Sequence, residues 1–160
     1  MKTHLVTFTI VSFLIVLDQV TKWAAQLFLR GSEAIELIPS FLYLNYHINP
    51  GAAWGMLEGQ FYLFVLITFA ALGLFLYLAK DNGFKDKPFY SLAIVLLIAG
   101  TIGNFIDRVR FRYVIDFIDV YIFSYDFPIF NVADMALTIG VFLFAIDLLF
   151  FEKRRMTHER

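Results

Sequence analysis

Long uncharged apolar runs are the feature that most constrains the fold of this chain. Residues 61–79 and 88–106 each form such a run, and residues 135–151 form a third that only Asp147 interrupts. Each run is long enough to cross a hydrocarbon core of about 30 Å as a helix. The mean hydropathy of +0.72 and the hydrophobic share of 60% exceed those of an ordinary soluble domain. The sequence therefore predicts an integral membrane protein.

The first apolar segment is less uniform, because Asp18 and Lys22 interrupt it before it resumes. A cleavable signal peptide is one interpretation, since Lys2 precedes the apolar stretch, but no clear A-x-A cleavage site follows. We expect instead a membrane helix over residues 5–27. At i,i+4 spacing Asp18 and Lys22 lie on one face of that helix, where they can neutralise each other and face other helices.

The predicted fold is a mainly α membrane protein with one domain over residues 1–160. Transmembrane helices are expected at 5–27, 61–79, 88–107 and 135–151, with connections at 30–60 and 108–134. Lysine and arginine are concentrated in the short 80–88 loop and in the C-terminal tail. The positive-inside rule then places both termini in the cytoplasm and the two long connections on the outer face.

The outer connections carry strand signals. Residues 35–49 alternate with period two and are rich in aromatic and β-branched side chains, and residues 109–125 have a similar composition. Such patterns are typical of strands, so we expect a small antiparallel sheet on the outer face. Residues 52–60 could form a short amphipathic helix or a flap over a site.

Three arginines on the outer side, Arg108, Arg110 and Arg112, run against the positive-inside rule. They suggest a local role, such as pairing with acids or with lipid headgroups. For Arg110 and Arg112 a salt-bridged surface strand is an equally good interpretation.

Several classes of chemistry find no support in the sequence. The chain has no cysteine, so disulfides, thiolate metal sites and a cysteine nucleophile are excluded. There is no H-E-x-x-H or G-x-S-x-G motif, and the histidines are too dispersed for a metal cluster. A Ser–Lys dyad would need Lys22, which already has Asp18 as a partner. We therefore expect no metal and no cofactor, and the net charge of -1 argues against nucleic acid.

Two acids in apolar surroundings, Asp116 and Asp134, are the strongest candidates for chemistry. A carboxylate beside membrane segments is costly and by default marks a functional site. If the two converge, like charges force one of them to keep its proton, and such a dyad can hydrolyse peptide bonds without a metal. Alone, Asp134 could equally cap the fourth helix. Asp119 lies in surroundings as apolar as those of Asp116, so sequence chemistry does not separate these two.

The remaining acids have structural interpretations. Asp107 precedes Arg108 and is expected to form an ion pair with it, Asp126 to be solvated in a turn, and Asp147 to reach toward Lys153 or its neighbours. Two buried amides, Asn104 and Asn131, could satisfy the lone pairs of a carboxylate pair. Gly100 and Gly103 would let another helix approach closely.

Four sequence blocks occur in order: Asp-Gln-Val-Thr-Lys at 18–22, Asn-Pro-Gly-Ala-Ala-Trp-Gly at 49–55, Gly-Asn-Phe-Ile-Asp-Arg at 103–108, and Phe-Asn-Val-Ala-Asp at 130–134. Asp116 falls between the last two, in Val-Ile-Asp-Phe. With these blocks the chain resembles the lipoprotein signal peptidase family, also called signal peptidase II, over nearly its whole length.

The resemblance implies an intramembrane aspartic endopeptidase of the bacterial inner or plasma membrane. Such enzymes remove the signal peptide from diacylglyceryl-modified prolipoproteins, cutting N-terminal to the lipidated cysteine. It also implies that the predicted sheet is the family's β-cradle, and that a monomer works among membrane lipids with its active site near the outer face. It selects Asp116 as the partner of Asp134. The residues implied to support the site or bind substrate are Asp18, Lys22, Asn49, Gly51, Asn104, Arg108, Asn131 and Ala133.

Two other classes of protein are alternatives to this one. A small transporter could use Asp116 and Asp134 as cation or proton sites, but the sequence lacks inverted repeats and Gly/Pro-broken helices. A non-catalytic assembly factor would pair its acids only with arginines, which leaves Asp134 without an obvious basic partner.

Overall fold

A computed structural model of the chain describes residues 2–51, 57, 59–123 and 125–151. Most of the expected flap at 52–60 therefore lies outside the described residues. The elements, in chain order, are α1 (Lys2–Phe28), β1 (Ile35–Ile38), β2 (Leu42–Asn49), α2 (Phe61–Leu78), α3 (Pro88–Phe111), β3 (Val114–Ile122), β4 (Tyr125–Asp126) and α4 (Val132–Ile146). A 3₁₀ turn, Ala79–Asp81, extends α2, and a π-helical turn, Asp147–Phe151, extends α4.

In the described part of the chain, four helical segments are long and apolar enough to cross a membrane: Thr3–Phe28, Phe61–Asp81, Pro88–Phe111 and Val132–Phe151. The predicted set of four membrane helices is thus confirmed, and the chain is a multi-pass membrane protein. Large apolar side chains such as Phe8, Trp23 and Phe142 are exposed on the outside of the bundle. That exposure suits a bundle in lipid, where an apolar surface has no reason to be buried.

Among the helix ends that differ from the predicted positions, the end of α3 and the start of α4 have clear local causes. α3 continues to Phe111, so residues 109–111 are helical and the expected strand composition there was misleading. The helix ends where Arg112 adopts a left-handed conformation, with φ of 70°. α4 begins at Val132 because Asn131 provides its N-cap and Asp134 completes a capping box.

Helix α3 is the central element of the bundle and the most buried of the four membrane segments. Its glycines allow the close packing that the sequence predicted. A Cβ atom built on Gly100 would lie 2.5 Å from the carbonyl oxygen of Ala133, and one on Gly103 would lie 2.7 Å from Asp18 Oδ2. No larger side chain fits at these two positions without a shift of α1 or α4.

The strands form one antiparallel sheet in the order β1-β2-β3-β4, which confirms the expected small sheet. In the register of β2 and β3, Tyr43 lies opposite Asp119 and His47 opposite Asp116. The register shifts between Leu44 and His47, as at a β-bulge. Bulges locally re-aim side chains, and this one lies on β2 beside both acids of β3.

Candidate active site

Asn131 brings Asp116 and Asp134 together. Its side-chain Nδ2 donates to Asp116 Oδ1 at 2.6 Å, and its backbone N–H donates to Asp134 Oδ2 at 3.2 Å. Its Oδ1 accepts from the backbone N–H of Asp134 at 3.0 Å. One residue therefore caps α4 and contacts both carboxylates, although they come from different elements, β3 and α4. Asp134 combines the capping role that the sequence left open with a place beside Asp116.

Two more amides complete the shell around the carboxylates. Asn104 of α3 donates to Asp134 Oδ1 at 2.7 Å, and its own Oδ1 accepts from Asn131 Nδ2 at 3.1 Å. Asn49, at the end of β2, donates to Asp116 Oδ2 at 2.9 Å. The amides satisfy lone pairs and fix the orientation of both carboxylates.

The side chain of Asp116 is almost fully buried, at 1% exposed. Burial and, to a lesser extent, the negative charge of Asp134 raise its pKa from 3.8 to about 6. Hydrogen bonds from Asn49 and Asn131 partly oppose that rise because they favour the ionised form. A carboxyl group with this pKa can hold or release a proton near neutral pH.

A buried ionic cluster lies directly behind the amides. Lys22 Nζ contacts Asp18 at 2.9 Å, Asp107 at 3.1 Å and Asn104 Oδ1 at 2.9 Å. All three charged groups are 1% exposed. The predicted Asp18–Lys22 pair is present, but the expected ion pair between Asp107 and Arg108 is wrong. Asp107 faces Lys22 because that ammonium lies inside the bundle, where an unpaired carboxylate would be costly.

The cluster also satisfies backbone groups of neighbouring elements. Asp18 Oδ1 accepts from the N–H of Ala133 at 2.8 Å, at the start of α4. Asp107 Oδ2 accepts from the N–H of Ile115 at 3.1 Å, next to Asp116. The acids of α1 and α3 therefore position the two segments that carry Asp134 and Asp116.

Arg108 of α3 contacts Gly51, in the turn that follows β2. The guanidinium of Arg108 donates to the carbonyl oxygen of Gly51 at 3.2 Å and lies over the ring of Phe64, 4.4 Å from its centroid. Asn49 Oδ1 accepts from the N–H of Gly51 at 3.0 Å. Arg108 thus fastens the turn after β2, which continues into residues that the structure does not describe.

Two other acids are buried away from this site. Asp119 accepts from Asn45 Nδ2 at 3.2 Å, and its other oxygen has no hydrogen-bond partner in the described part of the chain. Asp147 is also buried, near the opposite end of α4. The expected contact from Asp147 to Lys153 involves a residue outside the described range.

Two contributors to the site were missed or misjudged from the sequence. Gln19 Nε2 lies within hydrogen-bonding distance of Asp18, Asp107 and the carbonyl oxygen of Gly103, and Asp107 is the second partner of Lys22. Helical spacing contained a signal for Asp107, because residues 100, 103, 104 and 107 share one face of α3. For Gln19 nothing in the sequence indicated a partner so distant along the chain.

The fold and this site define a class: small multi-pass membrane proteins with a pair of carboxylates held by amides at one end of the bundle. A sequence model described as Signal peptidase (SPase) II matches residues 10–150. The chain is 46% identical over 142 residues to the lipoprotein signal peptidase of Anoxybacillus flavithermus, covering 88% of this chain and 83% of the relative. It is 48% identical over 138 residues to that of Staphylococcus aureus strain MRSA252, covering 86% and 83%.

Solved structures agree with the sequence relatives. A bacterial membrane enzyme determined by the in meso method at 2.3 Å resolution superposes with a TM-score of 0.82, at 44% identity over 90% of this chain and 87% of that one. A second, at 1.9 Å resolution, gives a TM-score of 0.81, at 46% identity over 91% and 94%. The chain therefore belongs to the signal peptidase II family and is a membrane peptidase.

Proposed function

We propose that this protein is an aspartic endopeptidase that uses Asp116 and Asp134 to cut diacylglyceryl-modified prolipoproteins N-terminal to the lipidated cysteine. The observation that carries the proposal is the contact of Asn131 with both carboxylates. It supports a pair of neighbouring carboxylates whose charges interact, in a protein whose relatives are named lipoprotein signal peptidases.

In this mechanism one aspartate is ionised and acts as the general base on a water molecule between the two. The water attacks the carbonyl carbon of the scissile peptide bond. The other aspartate is protonated, donates a hydrogen bond to the carbonyl oxygen, and helps to protonate the leaving amine. The raised pKa of Asp116, about 6, favours one retained proton on the pair, and titration belongs to the pair rather than to either residue.

The amides and the ionic cluster position the pair. Asn49, Asn104 and Asn131 donate to carboxylate oxygens, which holds both side chains while the water and substrate bind. Asp18 and Lys22 act through Ala133 and Asn104 and do not contact the pair in the described structure. Arg108 and Gly51 support the turn after β2 and could contact the substrate backbone there.

The site's position suits a substrate anchored in lipid. Asp116 lies in the sheet and Asp134 in the first turn of α4, at one end of the membrane segments. At that depth water reaches the pair while the acyl chains of the substrate stay in the bilayer. With both termini in the cytoplasm, this end of the bundle faces outward.

A cleavage assay in detergent tests the proposal. Purified wild type, Asp116→Asn and Asp134→Asn are each incubated with a verified diacylglyceryl-modified prolipoprotein, and the product is followed by gel shift. We expect cleavage by the wild type and none detectable with either variant. Asp119→Asn is the matched control, because it makes the same change in the same strand at a buried carboxylate that contacts Asn45. It should retain substantial activity.

Two results would count against the proposal. A fully active Asp116→Asn enzyme would contradict the assignment of Asp116 and Asp134 as the catalytic pair. A wild-type protein that is folded but inactive would favour a carrier or an assembly factor instead. Product mass would also locate the cut relative to the lipidated cysteine.

A further inference from the structure

A cavity of about 320 Å³ lies between the start of α2 and the end of α3. It is lined by Pro50, Phe61, Tyr62, Phe64, Arg108 and Arg112, together with one glycine. Its volume is at the lower end of the range for small-ligand pockets. Neither Asp116 nor Asp134 lines it, although Arg108 belongs to both the cavity and the surroundings of the carboxylate pair.

Of the two arginines that line the cavity, Arg112 is the better candidate for binding a ligand. It occupies the C-cap of α3 with φ of 70°, a left-handed conformation that glycine adopts freely and that most other residues avoid. Its guanidinium lies over the ring of Phe61, 3.7 Å from the centroid. Within the described residues no carboxylate lies within salt-bridge distance of it. Arg112 is therefore a cation at the cavity wall that an aromatic ring holds in place and that no described carboxylate neutralises. Such a cation is suited to bind an anion.

Arg108, one helical turn before Arg112 on α3, adds positive potential to the cavity. Arg108 is held over Phe64, although its charge is partly offset by the nearby carboxylates of Asp134 and Asp116. α2 begins at the cavity with Phe61, and Gln60 makes no side-chain cap hydrogen bond to it. Where the described residues supply no side-chain cap, the first amides of a helix can donate to a ligand, and the helix dipole favours an anion there. Arg112 remains the cation with the least compensation.

The ligand follows from the position of the cavity. It lies at the end of two membrane-spanning helices, the depth at which lipid headgroups are found. Guanidinium groups bind phosphate through paired charge-assisted hydrogen bonds. We propose that this cavity binds the phosphate of an anionic phospholipid headgroup, with Arg112 as the main contact.

The test is lipid binding to the purified protein in detergent, measured by native mass spectrometry with a short-chain phosphatidylglycerol. The wild type should bind phosphatidylglycerol more tightly than the matching phosphatidylcholine. Arg112→Gln should weaken phosphatidylglycerol binding about tenfold, the size expected for losing one charge-assisted contact. Arg110→Gln is the matched control, since it removes the same charge two residues away, on a side chain outside the cavity lining. Its affinity should stay within about twofold of the wild type.

Arg112→Gly keeps the test decisive if the glutamine variant folds poorly, because glycine is relaxed at this φ. It should fold at least as well as the wild type and still lose the preference for phosphatidylglycerol. An equal loss in the Arg110 and Arg112 variants would overturn the site in favour of general surface charge. No preference over phosphatidylcholine would also overturn it. Inorganic phosphate that displaces the lipid at equal concentration would assign the cavity to a free anion.

Discussion

Single amide side chains determine how the carboxylates of this site are held. Asn131 contacts both Asp116 and Asp134, and Asn104 links Asp134 to the ammonium of Lys22. An amide can donate and accept at once without adding charge. It can therefore donate to a carboxylate and at the same time accept from an ammonium or an N–H group. A lysine, which only donates, or an ionised aspartate, which only accepts, could not do both.

The raised pKa of Asp116 predicts a pH-dependent cost to stability. The folded state binds the proton of Asp116 more tightly than the unfolded state does. The stabilisation that this proton gives to the folded state is therefore fully present below about pH 4 and is lost as the pH rises through about 6. Asp116→Asn lacks this titration. The free energy of unfolding of the variant, relative to wild type, should rise by roughly 2–3 kcal/mol between pH 4 and pH 8. Unfolding in detergent at both pH values measures it, and a constant difference would contradict the assigned pKa.

At the scale of elements, α3 organises the bundle because its small residues let α1 and α4 approach. Gly103 is packed against Asp18 Oδ2 and the Cβ of Ala133, and Gly100 against the first turns of α4. Contact at that distance is what allows Asp18 to reach the N–H of Ala133. The glycines of α3 are therefore part of how the site is positioned.

Gly103→Ala should destabilise the protein by about 1–3 kcal/mol, since the new methyl group would lie 2.7 Å from Asp18 Oδ2. Activity should fall as well, because the displaced Asp18 carboxylate binds the N–H of Ala133 at the start of α4. Gly73→Ala in α2 is the matched control: a Cβ there meets nothing within 4 Å, and alanine is the better helix former. Thermal unfolding and the cleavage assay compare the two. Equal effects would show that packing at Gly103 is not the cause.

At the scale of the whole molecule, the buried ionic cluster joins elements that are far apart in sequence. Lys22 of α1 contacts Asp107 and Asn104 of α3, and the two acids bind backbone groups of β3 and α4. The sheet and the helices are thereby held in one arrangement around the carboxylate pair.

Lys22→Met would leave Asp18 and Asp107 buried without their cation. The expected loss of stability is about 3–5 kcal/mol, as for other buried pairs that lose one partner. Lys2→Met, at the beginning of α1, is the control for removal of one lysine. Unfolding in detergent measures both, and a Lys22 variant as stable as wild type would contradict the role of the cluster.

The proposed orientation in the membrane gives a further prediction. Because the chain has no native cysteine, a single introduced cysteine can report which side of the membrane it lies on. Glu33→Cys, in the connection after α1, should react with a membrane-impermeant maleimide in intact cells. Asp86→Cys, in the loop before α3, should react only after permeabilisation. Both replaced acids are exposed, so accessibility depends on the side of the membrane. Labelling of Asp86→Cys in intact cells would reverse the proposed orientation.

The sequence by itself determined the number of membrane helices, the small antiparallel sheet and the pairing of Asp18 with Lys22. Those features depend on local hydropathy and spacing, which are readable along the chain. The family blocks further selected Asp116 over Asp119 as a hypothesis. Helix ends were less predictable, because capping by Asn131 and the left-handed Arg112 outweighed composition.

Only the tertiary structure decided which groups meet. Asp107 faces Lys22 rather than its neighbour Arg108, and Arg108 instead binds the carbonyl oxygen of Gly51. Asn131 touches Asp116 only because β3 returns beside the first turn of α4. These contacts join residues distant along the chain, and their energies depend on burial, which no local pattern encodes. Packing in three dimensions therefore decided the partners, whereas hydropathy along the chain decided the elements.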